Sequence, residues 1–121
     1  MRTAWAHLKP GGVLVSTADV TTETFQQNST SIETSARAGL EVTFIENVYD
    51  PDPDDEHYET TIVYLIREQG KLRIEHDHWT LGLFSRQTWR SVLESVGFAV
   101  SEATCHVDGA SYLTFIGVKP G

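Results

Sequence analysis

Cysteine is almost missing from this chain. Cys105 stands alone among 121 residues, which excludes an internal disulfide and fits a reducing compartment. Basic residues are scarce too: nine Lys and Arg face seventeen Asp and Glu, a net charge of -8. Phosphate backbones and anionic lipid would repel such a chain, so neither nucleic acid nor a membrane surface is an expected partner. Long hydrophobic runs are absent. No stretch reaches eighteen apolar residues, and Met1-Arg2-Thr3-Ala4-Trp5 lacks the apolar core of a signal peptide, so a cytoplasmic location is expected. What remains is ordinary for a folded protein: 40% apolar residues, including twelve aromatics, in a length that suits one domain over 1–121 burying roughly 65% of its unfolded surface.

The best-specified element runs from Leu83 to Phe98. Ser85 is a good N-cap, Phe84 before it can clamp Trp89 as a hydrophobic staple, and Trp89, Val92, Leu93 and Val96 recur at the spacing of one buried helical stripe. Gly97 supplies the left-handed residue that ends the helix, and Phe98 to Thr104 reads as a strand. Near the amino terminus, Thr3 to Leu8 reads as the last turns of a helix stopped by Lys9-Pro10-Gly11-Gly12. Val13 to Ala18 then has the unalternated apolar start of a strand buried on both faces. Two helix-then-strand units of this kind belong to an α/β fold.

Between them, Val20 to Ala38 is polar enough to read as a loop over a site or on the surface. Three strands follow as an antiparallel meander over 40–81: Leu40 to Tyr49, His57 to Arg67, and Leu72 to Leu81. Five carboxylates between Asp50 and Glu56 bring calcium to mind. Their spacing does not match an EF-hand, and the stretch reads as a solvated, self-repelling hairpin tip. Cys105 to Ser111 reads as a turn, and Tyr112 to Val118 as a closing strand paired with Phe98 to Thr104.

Taken together, Leu8-Lys9-Pro10-Gly11-Gly12-Val13-Leu14-Val15, the approach from His76 to Arg86, the helix end Glu94-Ser95-Val96-Gly97-Phe98 and the terminal hairpin resemble the C-terminal half of a class I S-adenosylmethionine-dependent methyltransferase. The resemblance implies a partial Rossmann-like sheet in which Val13 to Ala18 is the fifth strand, Phe98 to Thr104 the sixth and Tyr112 to Val118 an antiparallel seventh. The inserted three-stranded meander is similar to that of small-molecule N-methyltransferases acting on nucleotide-linked amino sugars. S-adenosylmethionine is then the cofactor of the complete enzyme. The nine glycines here contain no Gly-x-Gly-x-x-Gly turn, so this chain, read as a fragment, is not expected to bind that cofactor alone, and no residue is assigned to it.

Methyl transfer to an amine or hydroxyl relies on positioning and on a group that takes up a proton. Glu75-His76-Asp77-His78 is the only cluster dense enough to supply one, with His78 and His76 on one strand face and the carboxylates on the other. Three readings of the histidines stand side by side: catalytic groups, a metal pair completed by His57, His106 or Cys105, or a half-exposed sheet face. Asp19, Thr22 and Phe25, just past the carboxyl end of Val13 to Ala18, are the substrate-binding candidates, since open α/β sheets place ligands there. Arg86 is expected to tether the helix start. Two alternatives to an enzyme half are a non-catalytic α+β module that dimerises through an exposed sheet edge, the apolar Val13 to Ala18 strand, and a small-ligand-binding α+β domain.

Overall fold

Ser85 does start a helix. In the computed structural model, which describes residues 1–121, its hydroxyl accepts from the Thr88 N–H at 3.0 Å and α2 runs Arg86–Val96. Phe84 meets Trp89 edge to face with ring centroids 6.4 Å apart, the expected staple. Gly97 ends the helix at φ 113°, while the Phe98 N–H folds back to the Leu93 carbonyl at 3.2 Å. A side chain at Gly97 would also press on the Trp5 ring, 3.0 Å from the position of its Cβ. Val92 departs from the expected stripe. It is 43% exposed, whereas Leu93 is fully buried, so the apolar face is narrower than the spacing implied.

The chain divides into two units, Met1–Phe25 with Phe84–Gly121, and Gln26–Leu83. The first holds α1 (Arg2–His7), β1 (Val13–Ala18), α2, β6 (Ala99–Val107) and β7 (Ala110–Val118), with the three strands in the order β1-β7-β6. Both neighbours of β7 are antiparallel to it. Val13–Ala18 and the strand after Phe98 therefore share one sheet, as expected, and run in the same direction. They do not pair with each other. The largely parallel, Rossmann-like arrangement gives way here to antiparallel pairing because a two-residue turn, Asp108 at φ 48° and Gly109 at φ 79°, sends β7 back between them. That tight turn also replaces the longer Cys105 to Ser111 turn.

Fully buried Phe115 and Leu93, with Ala18 and Phe98, form the core of this unit; Trp5, Leu8, Leu14, Trp89, Val96, Val100 and Leu113 pack around it. Trp89 stacks on Phe115 at 5.8 Å and 13°, and Trp5 meets Phe98 edge to face at 5.0 Å. Lys119 closes the end of α1, donating from Nζ to the Trp5 and Leu8 carbonyls at 2.8 and 2.9 Å. β1 is a correction. Leu14, Ser16 and Ala18 face the core, but Val13 and Val15 are 49% and 62% exposed, because nothing covers the second face of this edge strand.

The second unit is a four-stranded antiparallel sheet in the order β2-β3-β4-β5, formed by Ser29–Arg37, Leu40–Tyr49, His57–Glu68 and Lys71–Gly82. The meander thus has four strands rather than three. β2 lies inside the stretch expected to be a loop, and its Ser- and Thr-rich sequence is a strand because full-length pairing with β3 satisfies the backbone row that faces it, reinforced by Asn47 Nδ2 donating to Asn28 and Thr30 at 3.0 and 2.9 Å. Tyr58, Thr60 and Ile62 bury one face of β4; its other face is half-exposed. The acidic link uses its own carboxylates: Asp50, Asp52 and Asp55 each accept from a backbone N–H two residues on, at 2.9 to 3.1 Å. No helix of the chain is long and apolar enough to cross a membrane.

Candidate functional site

A cavity of about 350 Å³ opens at the carboxyl end of β1 and is lined by Asp19, Thr21, Glu23, Thr24, Arg86 and Ser111, with Ala18, Val20 and Leu113. Its floor is a single tight turn. The Thr24 and Phe25 N–H groups both donate to the Thr21 carbonyl, at 3.0 and 2.9 Å, and the Thr21 N–H donates to Thr24 Oγ1 at 3.0 Å. The turn is tied to the approach to α2 by the Thr22 N–H donating to the Phe84 carbonyl at 3.1 Å.

Glu23 caps α2 from across the cavity, its carboxylate accepting from the Arg86 N–H at 3.1 and 3.2 Å. Its own backbone N–H, then the Thr21 hydroxyl, the Arg86 N–H and the Thr22 hydroxyl, hold its carboxyl below the usual range, against a smaller opposing effect of burial. The Arg86 guanidinium is spoken for as well: it pairs with Glu102, which also takes Arg90 at 2.7 and 2.9 Å. Hydrogen bonds from Arg86 and then from Arg90 lower the Glu102 carboxyl, although its partial burial works the other way. Arg86 thus tethers the helix start, as expected. That leaves the exposed Asp19 carboxylate as the cavity's unengaged charge, beside the exposed Ser111 hydroxyl, which is hydrogen-bonded to His106 Nδ1 at 2.9 Å. A carboxylate beside hydroxyls suits a ligand rich in hydroxyl or amine donors.

Of the substrate-binding candidates, Asp19 lines this cavity; Thr22 and Phe25 sit in the turn that floors it without lining it. Sequence reasoning missed Glu23 and Ser111. Glu23 carried a faint signal, four residues past Asp19 in a polar run, but Ser111 is placed only by the strand order, with β7 beside β1. His76 and His78 lie in the other unit, on β5, and on the sheet face opposite the one that Tyr58, Thr60 and Ile62 bury. His78 Nδ1 is hydrogen-bonded to Thr61 Oγ1 at 2.9 Å, with its Nε2 3.9 Å from Glu59. His76 stands opposite Val63. No three His, Cys, Asp or Glu side chains are grouped so as to hold a metal ion.

No family model and no curated protein matches the sequence. Solved structures do. DesVI from Streptomyces venezuelae superposes with a TM-score of 0.84 at 22% identity, covering 99% of this chain and 49% of that one. CalS10 from Micromonospora echinaspora, described as an amino pentose methyltransferase and solved with S-adenosylmethionine bound, gives 0.83 at 18% over 98% and 48%. KedS8 from Streptoalloteichus, a sugar N-methyltransferase, gives 0.79 at 20% over 99% and 47%. The chain has the fold of one part of these methyltransferases and spans about half their length.

S-adenosylmethionine is the cofactor these neighbours imply, but the residues present do not fit it. A cofactor cradle needs glycines at a strand-to-helix turn. Here β1 leads into Asp19-Val20-Thr21; Gly39, Gly70 and Gly109 turn hairpins, Gly97 ends α2, and Gly117 lies beneath Phe98, whose ring a Cβ would meet at 3.0 Å.

Proposed function

We propose that this chain is the acceptor-side, C-terminal half of an S-adenosylmethionine-dependent methyltransferase acting on the amine or hydroxyl of a small molecule, with the cofactor held by residues outside these 121. The observation that carries the proposal is a fold match over 99% of the chain to enzymes of which it covers only half. The open edge and bare second face of β1, where Val13 and Val15 stand in water, support it. They are what a sheet leaves when a neighbouring strand and its covering helix belong to another segment. The amino-sugar chemistry named for CalS10 and KedS8, together with a cavity whose free carboxylate is Asp19, favours a sugar-linked amine as acceptor.

In this reading Asp19 accepts hydrogen bonds from the acceptor, Thr22 and Phe25 hold the turn that floors the cavity, and the Glu23 cap keeps that turn against α2. His78, whose Nδ1 is hydrogen-bonded to Thr61, and His76 belong to the other unit and stand as a separate candidate for the catalytic role. Titrating the isotope-labelled chain with a nucleotide-linked amino sugar, followed by amide chemical shifts, tests the assignment. Shifts at Asp19, Glu23 and Ser111 that vanish in Asp19→Ala are expected. Shifts confined to residues around His76 and His78 would move the acceptor there, and none up to millimolar ligand (about 4 kcal/mol of binding,) would end the acceptor-side reading. S-adenosylmethionine itself should show no saturable binding to the chain; micromolar saturation would return the cofactor site to these residues.

A further inference from the structure

We propose that Ser111 and His106 form a proton-accepting pair at the cavity beyond β1: Ser111 meets the amine of a bound sugar-linked acceptor, and His106, acting through Ser111, takes up the proton that the amine must shed. The inference rests on the acceptor-side reading above and adds to it the residues that prepare the amine. An amine carried as an ammonium ion has no electron pair to offer, so a site that alkylates it must first remove a proton.

The strand register brings the pair to the cavity. Leu113 stands opposite Ala18 of β1, and two residues earlier on β7 Ser111 stands opposite His106 of β6. Ser111, Leu113 and Phe115 alternate onto one face of β7, the face on which Phe115 meets Trp89 of α2. That face is core as far as Leu113. Beyond it Ser111 and His106 are exposed, and Ser111 lines the cavity with Asp19 and with Arg86 at the start of α2. Of the five histidines, His106 is the one hydrogen-bonded to a residue of this cavity, Nδ1 to Ser111 Oγ at 2.9 Å; His7 is engaged by the Thr3 carbonyl and His78 by Thr61. It belongs to no group of side chains able to hold a metal ion.

With the imidazole neutral and its proton on Nε2, Ser111 donates to Nδ1, and the lone pairs of its Oγ are left to accept from an ammonium N–H while Asp19 supplies the balancing charge. The ammonium N–H bond breaks as its proton passes to Ser111 Oγ, the Ser111 O–H proton passes to Nδ1, and the electron pair of the broken bond stays on nitrogen. The products are a neutral amine and an imidazolium, whose exposed ring exchanges its proton with water. The charged groups around His106 are Asp108 in the adjoining turn, Glu102 on the same face of β6 with Arg86 and Arg90 of α2 upon it, and Asp19 and Glu23 of the cavity.

One test needs no ligand. In the histidine-labelled chain at about pH 8, where an imidazole is neutral, the ring nitrogen signals of His106 should show Nδ1 without a proton. A proton on Nδ1 would mean that Ser111 accepts instead of donating, and overturns the proposal. The second test follows the affinity for a nucleotide-linked amino sugar, read from amide shifts at Asp19, between about pH 5.5 and pH 8. Affinity should weaken by up to about tenfold per pH unit as the ring becomes protonated, because an imidazolium donates to Ser111 and turns the hydroxyl hydrogen toward the ammonium. Ser111→Ala should bind about tenfold more weakly at pH 8 and lose this dependence. His106→Asn, whose amide oxygen can accept from Ser111 but takes up no proton, should bind as the parent does at pH 8 and stay indifferent to pH; parent-like binding also shows that the variant folds. A parent affinity that is flat with pH, a pH dependence that survives in either variant, or loss of binding in His106→Asn overturns the pair and leaves the acceptor-side reading standing. No shift at Asp19 at any pH removes that reading, and the pair with it.

Discussion

The two units solve the same problem with different means. In the unit of β1, β6 and β7, a capped helix lies on a three-stranded sheet, and Leu93 and Phe115 are fully buried between them. The four-stranded unit has no helix; one row of β4 is buried, and the sheet is held by full-length ladders and cross-strand pairs such as Phe44–Tyr64 at 5.6 Å, Thr34–Thr43 at 3.2 Å and Thr61–His78 at 2.9 Å. Burial decides the stability of the first. The second relies on its ladders and one buried row of β4, and every residue of β5 is exposed.

Truncating the first core should separate the two most sharply. Phe115→Ala removes a fully buried ring stacked on Trp89 and should cost about 3–5 kcal/mol, read from the urea midpoint; a loss below about 1 kcal/mol would mean that the core is not what holds this unit. Next comes the ionic clamp. Glu102→Gln leaves Arg86 and Arg90 without their shared carboxylate and should cost about 1–2 kcal/mol near neutral pH, a value discounted for the exposure of Arg86. Because Glu102 titrates below its ordinary 4.5 in the folded chain, its contribution is complete above that value and is lost as pH falls through the lowered one. The difference in unfolding midpoint between the parent and Glu102→Gln should therefore be widest near pH 7 and narrow as pH falls below 4.5, and a difference that does not change with pH would show that the charge of Glu102 contributes nothing. The smallest effect belongs to the open sheet: Ile32→Ser, at a side chain 65% exposed, should stay within about 0.5 kcal/mol. A larger loss would reveal a packing partner for that face of β2.

The same contrast explains what could be read in advance. Ser85, Phe84, Trp89 and Gly97 act through neighbours a few residues away, so α2 and its caps were legible residue by residue, as were the bounds of β3. The site was half legible. Asp19 follows from a rule about strand ends, but Ser111 reaches the same cavity from 92 positions away because β7 inserts beside β1. The Glu75 to His78 cluster was conspicuous as a string of residues. Its histidines and carboxylates part to opposite faces, as the alternation implied; only the tertiary structure places that strand in the other unit and exposes it along its whole length. β2 was invisible because Ser, Thr and Glu carry no apolar alternation; what makes it a strand is the ladder β3 offers it.

Sequence alone determined the helix with both its ends, the hairpins at Gly70 and Gly109, and a net charge of -8, because each depends on local dihedral preference or on a simple sum. Tertiary structure alone decided which face of β1 is dry, where β7 lies, and which carboxylates of the cavity are still free to meet a ligand. Those outcomes turn on what packs or pairs across long sequence separations, and no residue carries that information by itself.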